Sequence, residues 1–194
     1  MDKLAITAAL FALGLWVWSE YFRAIPHLEQ PGVLKNFKVE VIEPHEAEYR
    51  VLDKQYYSPN QRMLHPASPM VGSFNDLAYL SNIDVLLVQP NVSTVELKQV
   101  KLEQDARCFS LEPKESTANL NQLQAQIQNL SVIAANESVA NQIRRLKSNQ
   151  HIKLSGDWVN VHSVKINKAF HVGFGSKNSA QCRLFRVNAI TRLN

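Results

Sequence analysis

The sequence predicts a mainly β fold with two short helices, an α+β chain. An N-terminal transmembrane helix precedes a small, partly open β-barrel of the OB type. Three observations predict this. Short segments with a two-residue apolar period recur between Phe37 and Leu193. The stretch from Asn129 to Val161 reads as strand, capped helix, polar turn and strand. The first 22 residues carry an apolar run without a charge. A β-sandwich is the alternative architecture for the same strands.

The central stretch comes first because the other elements must close around it. Leu130, Val132 and Ile133 form a compact apolar run. Asn136 stands where a helix N-cap belongs, since its side-chain oxygen can accept an otherwise unpaired backbone N–H. Glu137 suits the positive end of the helix dipole, and Arg144, Arg145 and Lys147 suit its negative end. Val139, Ile143 and Leu146 lie on one helical stripe. Ile152 and Leu154 then alternate with polar residues, and Val159 and Val161 continue on the opposite parity. Gly156 sits at the phase change, which signals a β-bulge. Bulged, coiled strands allow a small sheet to close.

The segments around this stretch resemble a family of uncharacterised bacterial membrane-anchored or periplasmic proteins, marked by N-x-H-x-I-P-A-N … G-D-x-V-x-L-x-G-x-L-V. Asn129, Ile133, Ala135, Asn136, Leu154, Gly156 and Val159 match that signature. Ser131 replaces its His and Ala134 its Pro. Tyr49 to Tyr57, Pro66 to Ala78 and Cys182 to Val187 are similar to its flanking segments, although its Gly-Trp-Gly element is missing after Asp76. The likeness spans Phe37 to Asn194 and implies fold and location rather than an activity.

Along the rest of the sequence, Pro26, Pro31 and Gly32 make residues 23–36 a linker. Phe37 to Ile42 alternates as a strand that Pro44 ends, and Tyr49 to Leu52 reads as a second strand. Pro59, Pro66, Pro69 and Gly72 make Ser58 to Phe74 a long loop. Ile83 to Val88, Thr94 to Leu102 and Cys108 to Leu111 read as strands. Ser116 to Gln128 reads as a helix with Leu120, Leu123 and Ile127 on one face. Val164 to Asn167, Phe170 to Phe174 and Arg183 to Leu193 complete the sheet.

The N-terminus sets the expected compartment. Leu4 to Trp18 is apolar, and Trp16, Trp18, Tyr21 and Phe22 suggest an interfacial aromatic belt. Fifteen residues are short for a span of about 20. The bulky residues after the run offer no small-x-small cleavage site, which disfavours a signal peptide. The expected organisation is a transmembrane anchor over 1–22, a linker over 23–36 and a periplasmic β-rich domain over 37–194. The location is the bacterial inner membrane, crossed once by a signal anchor. Without residues 1–22 the protein keeps 20 basic and 15 acidic residues, a net charge of about +5. That is too mild for a nucleic-acid partner.

No motif assigns catalysis, a metal or a cofactor. The six histidines lack H-x-x-x-H or H-E-x-x-H spacing, and Cys108 and Cys182 form no C-x-x-C. His162 and His171 flank one expected hairpin. No G-x-S-x-G or Gly-rich phosphate loop occurs. Cys108 and Cys182 are a candidate disulfide; the alternative is two separate small core residues. The candidate contact surface is His65 and Asp76 with the basic residues Arg144, Arg145, Lys147 and Lys153. Asn136 and Gly156 have structural roles. The expected function is a non-catalytic, membrane-anchored interaction module or accessory subunit of an envelope complex, with another envelope protein as partner. The alternative is an enzyme or small-ligand-binding domain with a pocket under the 58–74 loop.

Overall fold

The computed structural model describes residues 2–21, 24–57, 77–114, 120–164, 168–173 and 175–193. Its helices are α1 (Asp2–Tyr21), α2 (Val33–Asn36), α3 (Thr94–Lys98), α4 (Leu120–Gln126) and α5 (Glu137–Arg144). Its strands are β1 (Phe37–Tyr56), β2 (Ile83–Val88), β3 (Val100–Asp105), β4 (Cys108–Pro113), β5 (Ile127–Ala134), β6 (His151–Ser163), β7 (Lys168–Ala169) and β8 (Cys182–Arg192). The protein is mainly β with few helices.

One sheet has the order β1-β2-β5-β8-β6-β7, and β1 also pairs with β6. The path of pairings therefore returns to β1. All these pairs are antiparallel except β5 with β8. The hairpin β3–β4 forms a separate two-stranded sheet.

Side-chain alternation divides the core. Inward residues Tyr49, Val51, Val85, Leu87, Leu130, Val132, Ile152, Leu154, Trp158, Phe185 and Val187 pack together with Val139, Ala140 and Ile143 of α5. On the opposite parity, Leu86, Val88 and Ile127 pack against Val100, Phe109 and Leu123, so the hairpin and α4 cover β2 and β5. A third cluster packs Ile133, Val159, Val161 and Leu184 against Val33, Phe37, Leu77, Leu80 and Phe170. This explains why every residue of β2 is buried: the strand has apolar neighbours on both faces.

The strands at Phe37 to Ile42 and Tyr49 to Leu52 are halves of β1. Pro44 does not end it. Its partner is Asp157 of β6, and β2 begins pairing only at Arg50. The missing N–H therefore falls where β1 has one neighbour, as prolines in strands require. Thr94–Lys98 is helical instead of extended. Ser93 Oγ accepts from the Glu96 N–H at 3.1 Å, and the Glu96 carboxylate accepts from the Ser93 N–H at 2.7 Å. This capping box outweighs the alternating pattern. The expected helix over 116–128 is shorter, because Ile127 and Gln128 open β5 against Val88 and Leu87. The strand expected over Phe170 to Phe174 is not formed by its described residues 170–173; a two-residue strand, Lys168–Ala169, lies just before it, and residues 165–167 and 174 lie outside the described residues.

The anchor is also corrected. Among the described residues, no helix is long and apolar enough to cross a membrane. The apolar run Leu4 to Trp18 would extend about 22 Å as a helix, against a hydrocarbon core of about 30 Å. The transmembrane segment over 1–22, the signal anchor and the single-pass inner-membrane location with a periplasmic domain thereby lose their basis. Leu4, Ile6, Leu10, Phe11, Leu13, Leu15 and Trp18 are exposed on α1.

Two expected structural residues have definite geometry. Asn136 caps α5, its Oδ1 accepting from the Val139 N–H at 3.0 Å. At Gly156 the β6–β8 register shifts after Ser155. A Cβ there would overlap the Arg186 carbonyl oxygen and lie 2.6 Å from Phe185 Cε1. Glycine is needed for this close approach, not for a left-handed backbone.

Candidate functional site

β5 and β8 are parallel, so their first residues share one end of the strand cycle. α5 follows β5 and packs at the other end through Val139 and Ile143. The end opposite α5 carries a gathering of polar and aromatic side chains on the inward parity. β1 supplies His45 and Tyr49, β5 supplies Gln128, β6 supplies Trp158, and β8 supplies Arg183 and Phe185.

Trp158 and Phe185 form the floor, with ring centroids 4.9 Å apart in an edge-to-face arrangement. His45 lies over Trp158 at 5.0 Å between centroids. The Arg183 guanidinium lies over the same indole, 4.0 Å from its centroid, a cation–π contact. The Tyr49 hydroxyl donates to Gln128 Oε1 at 3.3 Å, which leaves His45 Nε2–H to donate to the Tyr49 oxygen at 2.9 Å. Burial, then the Arg183 charge, hold the His45 pKa below 6.5; Glu43 pulls it the other way. Burial raises the Tyr49 hydroxyl above its usual range. His45 is thus held neutral at neutral pH, with Tyr49 as a proton donor.

Arg183 differs from the other half-buried or buried arginines. Arg50 donates to the Val92 carbonyl, Arg107 to Asp84, Arg144 to Asn141 and Arg186 to Asp157. Among the described residues, the Arg183 N–H groups have no acceptor. The end therefore offers a positioned cation, a neutral imidazole and an amide over a rigid aromatic floor. That set can bind a polar or anionic group.

The side of β2 and β5 away from the core is closed. Ala106 and Arg107 form the two-residue turn of β3–β4, with φ of 48° and 64°. Their positive φ values suit a tight hairpin turn. The Arg107 side chain is 2% exposed and inserts against β2, donating to Asp84 Oδ1 at 3.0 Å and to the Ser81 carbonyl at 2.8 Å. Its guanidinium lies 3.9 Å from the Tyr57 ring centroid. Asn129 Nδ2 donates to the other Asp84 oxygen at 2.9 Å. The next residue, Cys108, is joined to Cys182 of β8 by a disulfide with Cα atoms 5.2 Å apart.

The candidates expected from the sequence do not converge. His65 and Asp76 lie outside the described residues, as does the 58–74 loop with the pocket expected under it. Arg144, Arg145 and Lys147 cluster at the end of α5, away from Arg183. Arg144 donates to Asn141 Oδ1 at 2.8 Å. Lys153 is paired with Glu46 of β1. His162 lies 3.7 Å from Glu40 and His171 is exposed. Among the described residues, no group of three His, Cys, Asp or Glu side chains could hold a metal. A cleft of about 340 Å³ lies between the linker and α5, lined by His27, Gln30, Glu137, Asn141 and Arg144. Among the described residues, the buried His27 Nδ1 has no hydrogen-bond partner.

Sequence reasoning missed Arg107, Asp84 and the Arg183 end. Asp84 did carry a signal: a lone charge within an apolar strand must find a buried partner. No family model, curated protein or solved structure matches this protein.

Proposed function

We propose that the protein is a non-catalytic interaction module, built on a small OB-like barrel that meets its partner at the end opposite α5. The barrel reading is supported by the pairing cycle β1-β2-β5-β8-β6-β1, its parallel β5–β8 pair and the helix between β5 and β6. OB barrels bind oligonucleotides on the face of their second and third strands. Here those strands are β2 and β5, and the β3–β4 hairpin occupies that face. The observation that carries the reading is Arg183: a guanidinium seated on a buried indole with no described acceptor for its N–H groups.

The test is a photoreactive residue placed at Gln128 and, as a control, at Arg192 near the α5 end, in the cell that makes the protein. The reading expects a discrete adduct from position 128 that Arg183→Gln removes, and none from position 192. The opposite pattern refutes it. A second reading, a small-ligand site in the α5 cleft, is favoured by the polar lining of that cleft by His27, Gln30, Glu137, Asn141 and Arg144. Its test is a fragment screen by thermal shift, in which hits must disappear with His27→Ala.

A further inference from the structure

We infer that the Arg183 end recognises a monoanionic carboxylate on a protein partner, either its terminal carboxylate or an Asp or Glu side group. This deepens the proposed function and rests on it. A guanidinium presents paired N–H donors whose spacing matches the two oxygens of a carboxylate. In Arg183 those donors are set by the contact with Trp158 at 4.0 Å. Trp158 is itself fixed edge-on by Phe185 at 4.9 Å. The fork is thus held before any ligand arrives, which lowers the entropy lost on binding.

The surroundings select the class of anion. A phosphate would suit the same fork, but it brings close to two negative charges at neutral pH. Among the described residues, Arg183 is the cation whose charge acts on His45. His45 is neutral, and Glu43 on the same strand is close enough to act on it electrostatically. One positive charge beside an existing carboxylate favours a single negative charge. Gln128 adds a neutral amide next to the fork, while the His45 Nε2–H is already given to Tyr49. The Tyr49 hydroxyl is already committed to Gln128.

The experiment titrates the full-length protein with three short peptides of one sequence. One ends in a free carboxylate, one in an amide, and one in an amide with a single internal Glu. Calorimetry reads affinity. Saturable binding of the first peptide alone assigns a terminal carboxylate, and binding of the third assigns a side-group carboxylate; the second must not bind in either case. Arg183→Gln must weaken the bound peptide at least tenfold, and Arg183→Lys, which keeps the charge and loses the fork, by a smaller factor. Unchanged far-UV circular dichroism shows that both variants fold. The inference is overturned if neither carboxylate peptide binds, if Arg183→Gln binds as well as the native protein, or if inorganic phosphate binds more tightly than either peptide. A persisting adduct at position 128 would then show that the ligand class was wrong while the module reading stood. Loss of that adduct as well would remove both.

Discussion

Arg107 and Asp84 allow a sharp test of what holds the hairpin over β2 and β5. Their side chains are 2% and 0% exposed, with Arg107 Nη1 3.0 Å from Asp84 Oδ1. Arg107→Met preserves bulk and stem but leaves the Asp84 carboxylate buried, with the Asn129 amide still donating to it. Breaking a buried pair from one side costs about 3–5 kcal/mol, because the surviving charge has neither water nor a counter-charge. A domain of this size has roughly 5–15 kcal/mol of stability in total. Asp84→Asn should cost a similar amount from the other side. The double variant should be more stable than the sum of the two losses by about 2 kcal/mol or more, since the second change removes a charge the first had stranded. Urea unfolding followed by far-UV circular dichroism measures all four states of this cycle. A loss below about 1 kcal/mol for Arg107→Met, or strict additivity, would refute the reasoning.

Three further outcomes are expected. Gly156→Ala should destabilise by about 3 kcal/mol or more, because the new Cβ would overlap the Arg186 carbonyl oxygen and crowd Phe185; an unchanged melting midpoint contradicts this. Cys108→Ser with Cys182→Ser should cost about 4 kcal/mol, since the bridge closes a loop of 74 residues; a denaturation midpoint equal to that of the oxidised native protein contradicts it. The His45 pKa is lowered from 6.5 by burial and then by Arg183, so the unfolded state binds more protons near that pH. Stability should be full above pH 6.5 and fall as the pH drops through the lower folded value. His45→Gln should flatten that part of the profile, and an identical profile in the variant would remove the claim.

Much of the β framework was legible because its signals were local. The run Leu130 to Ile133, the cap at Asn136 and the phase change at Gly156 each depend on residues within one element. Pro44 misled because a proline's cost in a strand depends on whether the adjacent strand needs its N–H, which only the register reveals. The β3–β4 turn was hidden because Ala106-Arg107 lacks the Gly or Asn that usually marks positive φ. Here a buried guanidinium, not a permissive residue, holds the conformation. The Arg183 end was hidden for another reason. His45, Gln128, Trp158 and Arg183 lie on four strands far apart in sequence, and no spacing joins them until the strand cycle does.

The covered face and the open end are mechanically connected. Arg107 and Cys108 are neighbours, yet one is tied to Asp84 of β2 and the other to Cys182 of β8. Between those strands, Asn129 of β5 pairs in register with Cys182 and donates to Asp84. The hairpin tip thus fixes the start of β8 covalently, one residue before Arg183. Gly173 supports this point from outside: with φ of 71°, its position would place a Cβ 2.8 Å from Cys182 Cβ. Occupying the β2–β5 face is therefore compatible with building a rigid site next to it. Opening the bridge should loosen Arg183 before it unfolds the protein, because Arg107 and Asp84 still hold the tip. Reduced protein in mild conditions should keep its far-UV circular dichroism and lose carboxylate-peptide affinity several-fold. Equal affinity in both redox states would mean that Trp158 and Phe185 alone position the guanidinium.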